Sequence, residues 1–337
     1  MIKVALIGAG KMGISHLSIL GAHPDVNVVG VCDKSELVTN FLTKVSGYNC
    51  FSDYIEMIEK VNPDAVFVAI PTKTHYEVIS FLLKNNIHVF AEKPFTLLAN
   101  QSSELANIAQ KKGLINQVGY HNKFIGTFNE LKKIVDHRLI GNIYHFVGEA
   151  YGPVITRKRT GNWRAKPEEG GGCLLDYASH VIDLINYILS PIVKVHSAHL
   201  PSIFSDKVED AVYAMVEVVA GIKGQLSVNW SDDAYRKMTT SLTISGTKGK
   251  VIADTTELKV YFKDNPNFEM YTKGWNILPI SLLQQSVDFY LRGEEYSTQI
   301  DYFVNSVKTK KAGIINSFAS AAETDYAISM IRNKSLN

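Results

Sequence analysis

A short apolar run, IKVALI, passes without a break into GAGKMG. Residues 2–13 therefore join a β-branched strand to three glycines, Gly8, Gly10 and Gly13, at G-x-G-x-x-G spacing. The first glycine permits a tight turn, the second lets the backbone approach a bound anion, and the third lets the following helix pack against the strand. A second strand pattern at residues 27–32 closes on Asp33, 20 residues after Gly13. Strand, glycine turn, helix, strand and acid in that order predict a dinucleotide-binding βαβ unit with the pyrophosphate at the helix N-terminus. Gly8, Gly10, Lys11, Met12 and Gly13 are its candidate contacts, and Asp33 is placed to accept hydrogen bonds from the ribose hydroxyls. A carboxylate there repels a 2′-phosphate, so NAD is favoured over NADP, although the adjacent Lys34 offsets part of the repulsion.

The alternation continues through the first third of the chain. Strands are predicted at residues 3–7, 27–32, 64–69 and 88–91, with shorter ones at 48–51 and 116–120. Between them lie amphipathic segments such as SDYIEMIEKV, where Ser52 is the expected cap and Tyr54, Ile55, Ile58 and Val61 share one face. Parallel neighbours need crossovers, usually helical, so this pattern predicts a doubly wound parallel sheet covered on both sides. Beyond about residue 140, strand-like runs follow one another through tight turns, as in AVYAMVEVVAGIKGQLSVNW and TTSLTISGTKGKVIAD. They predict an α/β second domain with a mostly antiparallel sheet. Helices are expected again at 281–292 and 318–333. The domains are placed at 1–121, binding the cofactor, and 122–337, serving substrate binding and oligomerisation.

Composition narrows the setting. A chain of 337 residues with 46% apolar content can bury real cores, and a net charge of +2 gives no reason to expect nucleic acid or an acidic membrane as partner. Cys32, Cys50 and Cys173 are too few and too scattered for a disulfide framework or a zinc site, which suits a reducing cytoplasm. No signal-peptide pattern opens the sequence, and no stretch reaches the roughly 20 apolar residues that span a bilayer.

The carboxyl edge of such a sheet is where ligands bind. Pro71 and Thr72 fall there after the fourth strand, and Glu92, Lys93 and Pro94 one strand later, which poises a lysine over the nicotinamide crevice. Further along, GGGCLLDYASHVID sets three glycines before a helix that carries Asp176 and His180 four positions apart. In an α-helix these two stack on one face, and Asp183 and Tyr187 continue the stripe. Leu174, Ala178, Val181, Ile185 and Ile188 anchor the other faces in the core. The glycines are expected to leave a cavity for substrate.

In order along the chain, GAGKMG, PTKTH at 71–75, EKP at 92–94, NWR at 162–164 and the glycine-led helix resemble the Gfo/Idh/MocA oxidoreductases. That family includes inositol dehydrogenase, glucose-fructose oxidoreductase and nucleotide-sugar dehydrogenases, and the resemblance covers nearly the whole chain. It implies a Rossmann domain and a second domain whose large open sheet often forms an oligomer interface, here in a homodimer or homotetramer. It also implies that Lys93, Asp176 and His180 meet at the nicotinamide, with His75, Glu92, Asn122, Trp163 and Arg164 among the cofactor contacts. Lys93, Tyr151, Arg157, Arg159, Asp176 and His180 are the candidate substrate contacts.

Oxidation of an alcohol requires a proton acceptor as hydride departs. His180 is the expected general base, since an imidazole titrates near neutrality, and Lys93 supplies positive charge where alkoxide develops. Asp176 either contacts substrate or shares a network with the other two. The expected reaction is NAD-dependent oxidation of a ring hydroxyl on a sugar, cyclitol or nucleotide-linked sugar. A glycosidase using transient oxidation and a non-catalytic NAD-binding regulator are the alternatives. GYHNKF, with His121, Asn122 and Lys123, departs from the arginine that many relatives carry after the sixth strand. The basic run of Arg157, Lys158, Arg159, Arg164 and Lys166 is either a solvated loop or a grip on an anionic substrate.

Overall fold

The computed structural model describes residues 1–158, 163–268 and 270–335. The first segment alternates as predicted: β1 (Ile2–Ile7), α1 (Lys11–Ala22), β2 (Val26–Cys32), α2 (Glu36–Ser46), β3 (Cys50–Phe51), α3 (Tyr54–Val61), β4 (Ala65–Val68), α4 (His75–Lys84), β5 (His88–Ala91), α5 (Ala99–Lys112) and β6 (Asn116–Val118). The six strands run parallel in the order β3-β2-β1-β4-β5-β6. This is the doubly wound order that places a ligand crevice beyond the carboxyl ends of β1 and β4.

Two details of the sequence reading change. The cap of α3 is Asp53, whose Oδ1 accepts from the Ile55 and Glu56 amides at 2.7 and 2.9 Å, and not Ser52. A carboxylate accepts two N–H groups where a hydroxyl has less reach, and the shift of one residue turns Met57 inward and leaves Ile55 exposed.

The second segment continues with α6 (Gly126–Asp136), β7 (Ile143–Tyr151), α7 (Ser179–Ile188), β8 (Ile192–His199), β9 (Ala211–Val218), β10 (Lys223–Asn229), β11 (Thr239–Gly246), β12 (Gly249–Asp254), β13 (Glu257–Phe262) and β14 (Gly274–Pro279). Its eight strands order as β14-β13-β12-β11-β7-β10-β9-β8, antiparallel except for β7 beside β10. One face carries the cross-strand row Ala214, Leu226, Gly148, Leu242, Ala253 and Leu258, buried wherever a side chain is present. Gly148 lies in that row because a Cβ there would run into Val181 and Ile185 of α7. The opposite face carries the row Met215, Gln225, Val147, Thr243, Ile252, Lys259 and Ile277.

The chain then corrects two expectations. Residues 281–292 do not form a helix. A 3-10 turn at Ile280–Leu282 gives way to irregular backbone, and α8 (Glu294–Thr309) begins only after Gly293, at φ +130°. Glu294 and Glu295 in its first turn suit a helix N-terminus, and Ile300, Phe303, Val304 and Val307 form its buried stripe. Residues 122–337 are also not one unit. Ser286–Ala322, with α8 and the start of α9 (Phe318–Ser335), falls with residues 1–121, while Asn122–Gln285 and Glu323–Asn337 form the second unit.

In the first unit, Phe67 and Phe90 stack 4.6 Å apart on the sheet, and Phe303 of α8 meets both edge-on at 5.4 and 5.8 Å. Phe303 is fully buried. We therefore expect Phe303→Ala to lower unfolding stability by about 3–5 kcal/mol in urea titrations. A loss near zero would show that α8 lies outside the core of this unit.

Candidate functional site

In the first unit the glycine turn is shaped by close approach. Gly8 adopts φ +95°, and a Cβ on it would overlap the Ala69 carbonyl; one on Gly13 would overlap the Gly8 carbonyl. A Cβ on Gly10, by contrast, would meet nothing within 4 Å. Gly10 is also the N-cap of α1, where no side chain bonds the helix amides and no acidic residue occupies the first turn. An uncapped helix start facing open space, with no acidic residue in its first turn, fits a dinucleotide pyrophosphate.

Asp33 stands at the end of β2. Its Oδ2 accepts from Ala9 N at 2.7 Å and its Oδ1 from Ser35 N at 2.8 Å, so it fixes the glycine turn while each oxygen keeps a further lone pair for a ribose hydroxyl. Lys34 beside it is exposed. Pro71 leads into a 3-10 turn at Thr72–Thr74, with Thr72 buried.

Two expected cofactor contacts turn inward. His75 is fully buried, with Nδ1 3.0 Å from the Phe95 carbonyl and Nε2 2.9 Å from the Ile70 carbonyl. Burial pulls its pKa down more strongly than the carbonyls raise it. Both ring nitrogens face the protein's own backbone, so His75 braces two loops and offers no nitrogen to a cofactor. Glu92 Oε1 meets His16 Nε2 of α1 at 2.6 Å, and its Oε2 accepts from Lys93 N at 3.2 Å. Burial works to raise the Glu92 pKa, but the His16 bond and charge, with Lys93, outweigh it and hold the carboxyl below its ordinary value. Glu92 thus ties the lysine turn to the glycine-turn helix. The half-buried Lys93 lies near enough to His121 to help depress its pKa.

The second unit holds the other candidates. Gly171 N donates to the Lys166 carbonyl and Gly172 N to the Arg164 carbonyl, at 3.0 and 3.1 Å. A Cβ on Gly171 would overlap the Arg164 carbonyl, and one on Gly172, at φ +109°, would overlap the Glu209 carboxylate. At Gly171 and Gly172, then, the place a side chain would take is filled, and these glycines admit neighbouring groups.

The helix that follows opens with a π turn, Leu174–Ala178, before α7 begins at Ser179. The stretch that carries Asp176 is thus π-helical where an α-helix was expected, a feature frequent at functional sites. Asp176 and His180 are both buried. Arg164 Nε donates to Asp176 Oδ2 at 2.9 Å, and its guanidinium lies 4.6 Å from the Trp163 ring centre.

Farther along α7, Asp183 Oδ1 accepts from Lys123 Nζ at 2.8 Å, with both side chains almost wholly buried. Burial pushes the Asp183 carboxyl up, against the pull of Lys123. Asn122 is buried, and among the described residues nothing bonds its Nδ2.

Tyr151 lies elsewhere. Strand alternation sets it on the sheet face opposite α7, where its hydroxyl meets Ser227 Oγ at 2.7 Å and Glu149 Oε1 at 3.2 Å and its ring stacks on Tyr235. It is not grouped with Asp176 and His180. In the basic run, Lys158 pairs with Asp206, Lys166 with Glu169 and Arg164 with Asp176, while Arg157 is exposed. Arg159 and Asn162 lie outside the described residues. Sequence reasoning assigned no role to His16, Lys123 or Glu209. Only Lys123 carried a signal, as a cation where the surrounding motif departs from its relatives.

The sequence pattern described as the oxidoreductase family with an NAD-binding Rossmann fold matches residues 2–120, and the GFO/IDH/MocA C-terminal domain matches residues 128–252. D-glucoside 3-dehydrogenase of Escherichia coli (strain K12) is 30% identical over 59% of this chain, and the match spans 57% of that protein. The chain thus spans little more than half the length of this curated relative. Glucose-6-phosphate 3-dehydrogenase of Bacillus subtilis (strain 168) is 23% identical over 100% of this chain and 97% of that protein. In architecture, a levoglucosan dehydrogenase solved in complex with NADH superposes with a TM-score of 0.88 at 19% identity, covering 99% of this chain and 97% of that one.

One titration is set by the first unit. Burial, and then the charge of Lys93, hold the His121 imidazole down at about 4. An unfolded histidine titrates near 6.5, so between these values the unfolded chain binds more protons. This contribution to stability is fully present above about pH 6.5 and is lost as pH falls toward 4. We expect His121→Gln to flatten this part of the curve in urea unfolding at pH 7 and pH 5, and an unchanged pH dependence would count against it.

Proposed function

The chain belongs to the Gfo/Idh/MocA oxidoreductase family, and from that premise we propose that it is an NAD-dependent dehydrogenase oxidising a ring hydroxyl of a sugar or cyclitol. One observation carries the reading. A buried carboxylate and imidazole, Asp176 and His180, stand at a π turn behind a glycine triplet, in a chain whose other unit is an NAD-binding Rossmann fold with Lys93 at its carboxyl edge. Relatives named D-glucoside 3-dehydrogenase and myo-inositol 2-dehydrogenase support a ring secondary alcohol as the reacting group.

In this reading the turn at Gly8, Gly10 and Gly13 and the amides opening α1, with Lys11 and Met12, hold the pyrophosphate. Asp33 accepts from the ribose. Bound NAD supplies the hydride acceptor. His180 takes the hydroxyl proton as the carbon–hydrogen bond breaks, and returns it in the reverse direction. Lys93 stabilises the alkoxide character that develops on the substrate oxygen. Asp176, held by Arg164, acts as a fixed acceptor for a substrate hydroxyl.

Turnover is tested by NADH appearance across cyclitols, aldoses, glycosides and sugar phosphates. His180→Asn and Lys93→Met should each lower kcat by about 10² to 10⁴ while NAD still binds. Full stability-corrected turnover in His180→Asn would defeat the assignment. Asp33→Ala should weaken NAD and narrow its advantage over NADP, and equal binding of both by the unaltered protein would contradict that role.

We also propose that the uncovered sheet face pairs with a second copy of the chain. It exposes Met215 at 48%, with Tyr213 two residues before it, toward one end and Ile277 at 60% with Trp275 at 55% at the other. Sedimentation at micromolar concentration should give a dimer or tetramer that Met215→Lys with Ile277→Lys weakens; a monomer would refute the pairing.

A further inference from the structure

Glu209 has no part in the reading above, yet it is placed at the origin of the helix that carries Asp176 and His180. Its backbone carbonyl accepts from Cys173 N at 3.0 Å and its Oε1 from Leu174 N at 2.9 Å. These are amides at the helix start, which have no partner within the helix and favour a negative charge beside them. Cys173 supplies no side-chain cap of its own. The carboxylate reaches the Leu174 amide only because position 172 is glycine, since a Cβ there would occupy the same space.

The mounting of Glu209 is rigid. Its neighbour Asp210 gathers the amides of Ile203, Phe204 and Ser205 at 2.7, 2.6 and 2.8 Å, the Ser205 hydroxyl at 2.6 Å and the Trp230 indole N–H at 2.7 Å. Trp230 is fully buried and meets Tyr177 edge-on at 6.5 Å. The π turn is thereby held at its first amides by the loop before β9, and near its end, at Tyr177, by Trp230 after β10, which Asp210 of that loop anchors. A π turn is rare and short because its geometry is weaker than that of an α-helix, and it persists where surroundings enforce it.

We propose that Glu209 is a positioning residue that locks the π turn and so sets the spacing between Asp176 and His180. The role in turnover rests on the dehydrogenase reading; the clamp itself does not.

The test uses the full chain and three variants. Glu209→Gln keeps a carbonyl acceptor for Leu174 N, Glu209→Ala removes it, and Glu209→Asp keeps the charge on a shorter arm. Amide hydrogen exchange over residues 173–179 should quicken about five- to tenfold in Glu209→Ala and Glu209→Asp, the size expected from losing a helix-start acceptor, and stay within about twofold in Glu209→Gln. With myo-inositol and D-glucose as probes, kcat should fall in the first two variants and recover in Glu209→Gln, with the NAD Kd unchanged throughout. Added to His180→Asn, Glu209→Ala should cost less than about twofold further, because it acts through the pair. Unchanged exchange in Glu209→Asp, or exchange in Glu209→Gln as fast as in Glu209→Ala, overturns the clamp. Full turnover in His180→Asn would instead remove the dehydrogenase reading and leave the exchange result to decide on the clamp alone.

Discussion

The close approach of α1 to the turn after β1 is the constraint on which the first unit depends. Gly13 lets the helix rest on the Gly8 carbonyl, and Gly8 lets the turn rest on the Ala69 carbonyl beyond β4. With that distance fixed, Asp33 reaches Ala9 N and His16 reaches Glu92. Both bonds link the glycine turn to neighbouring strand ends, one through β2 and one through β5. A side chain at either glycine would move the helix outward and separate both pairs.

The second unit solves a different problem with the same means. Its helix must present two ionisable groups from inside a core, and a buried charge is tolerated only when paired. Arg164 answers Asp176 from just ahead of the glycines, and Lys123 answers Asp183 from far back in the sequence. Glycines again admit the partners, the Arg164 carbonyl at Gly171 and the Glu209 carboxylate at Gly172.

Much of this was legible in the sequence because it is written in local periodicity. The parallel sheet, the antiparallel hairpins at β9–β10 and β11–β12, and the glycine turn follow from alternation and turn residues. What escaped was nonlocal or depended on one residue of phase. The helix expected at 281–292 does not form; Gly293 restarts the chain and α8 follows it. Asp176 and His180 are spaced for an α-helix, and the stretch that carries Asp176 is a π turn, a change of about one residue per turn that the local pattern does not announce. His75 sits in a motif that suggests a cofactor contact, while its two carbonyl partners are five and twenty residues away.

The return of Ser286–Ala322 to the first unit has a bearing on how the protein is made. Residues 1–121 emerge from the ribosome long before α8, so one face of the nascent Rossmann sheet waits covered by α1 and α2 alone, with Phe67 and Phe90 left without Phe303. Most of the second unit, with all eight of its strands, is synthesised during that interval. Vectorial synthesis thus delivers both sheets before α8, the last helix wholly within the first unit, is made. The part of the chain that is translated first is completed only by a helix translated near the end.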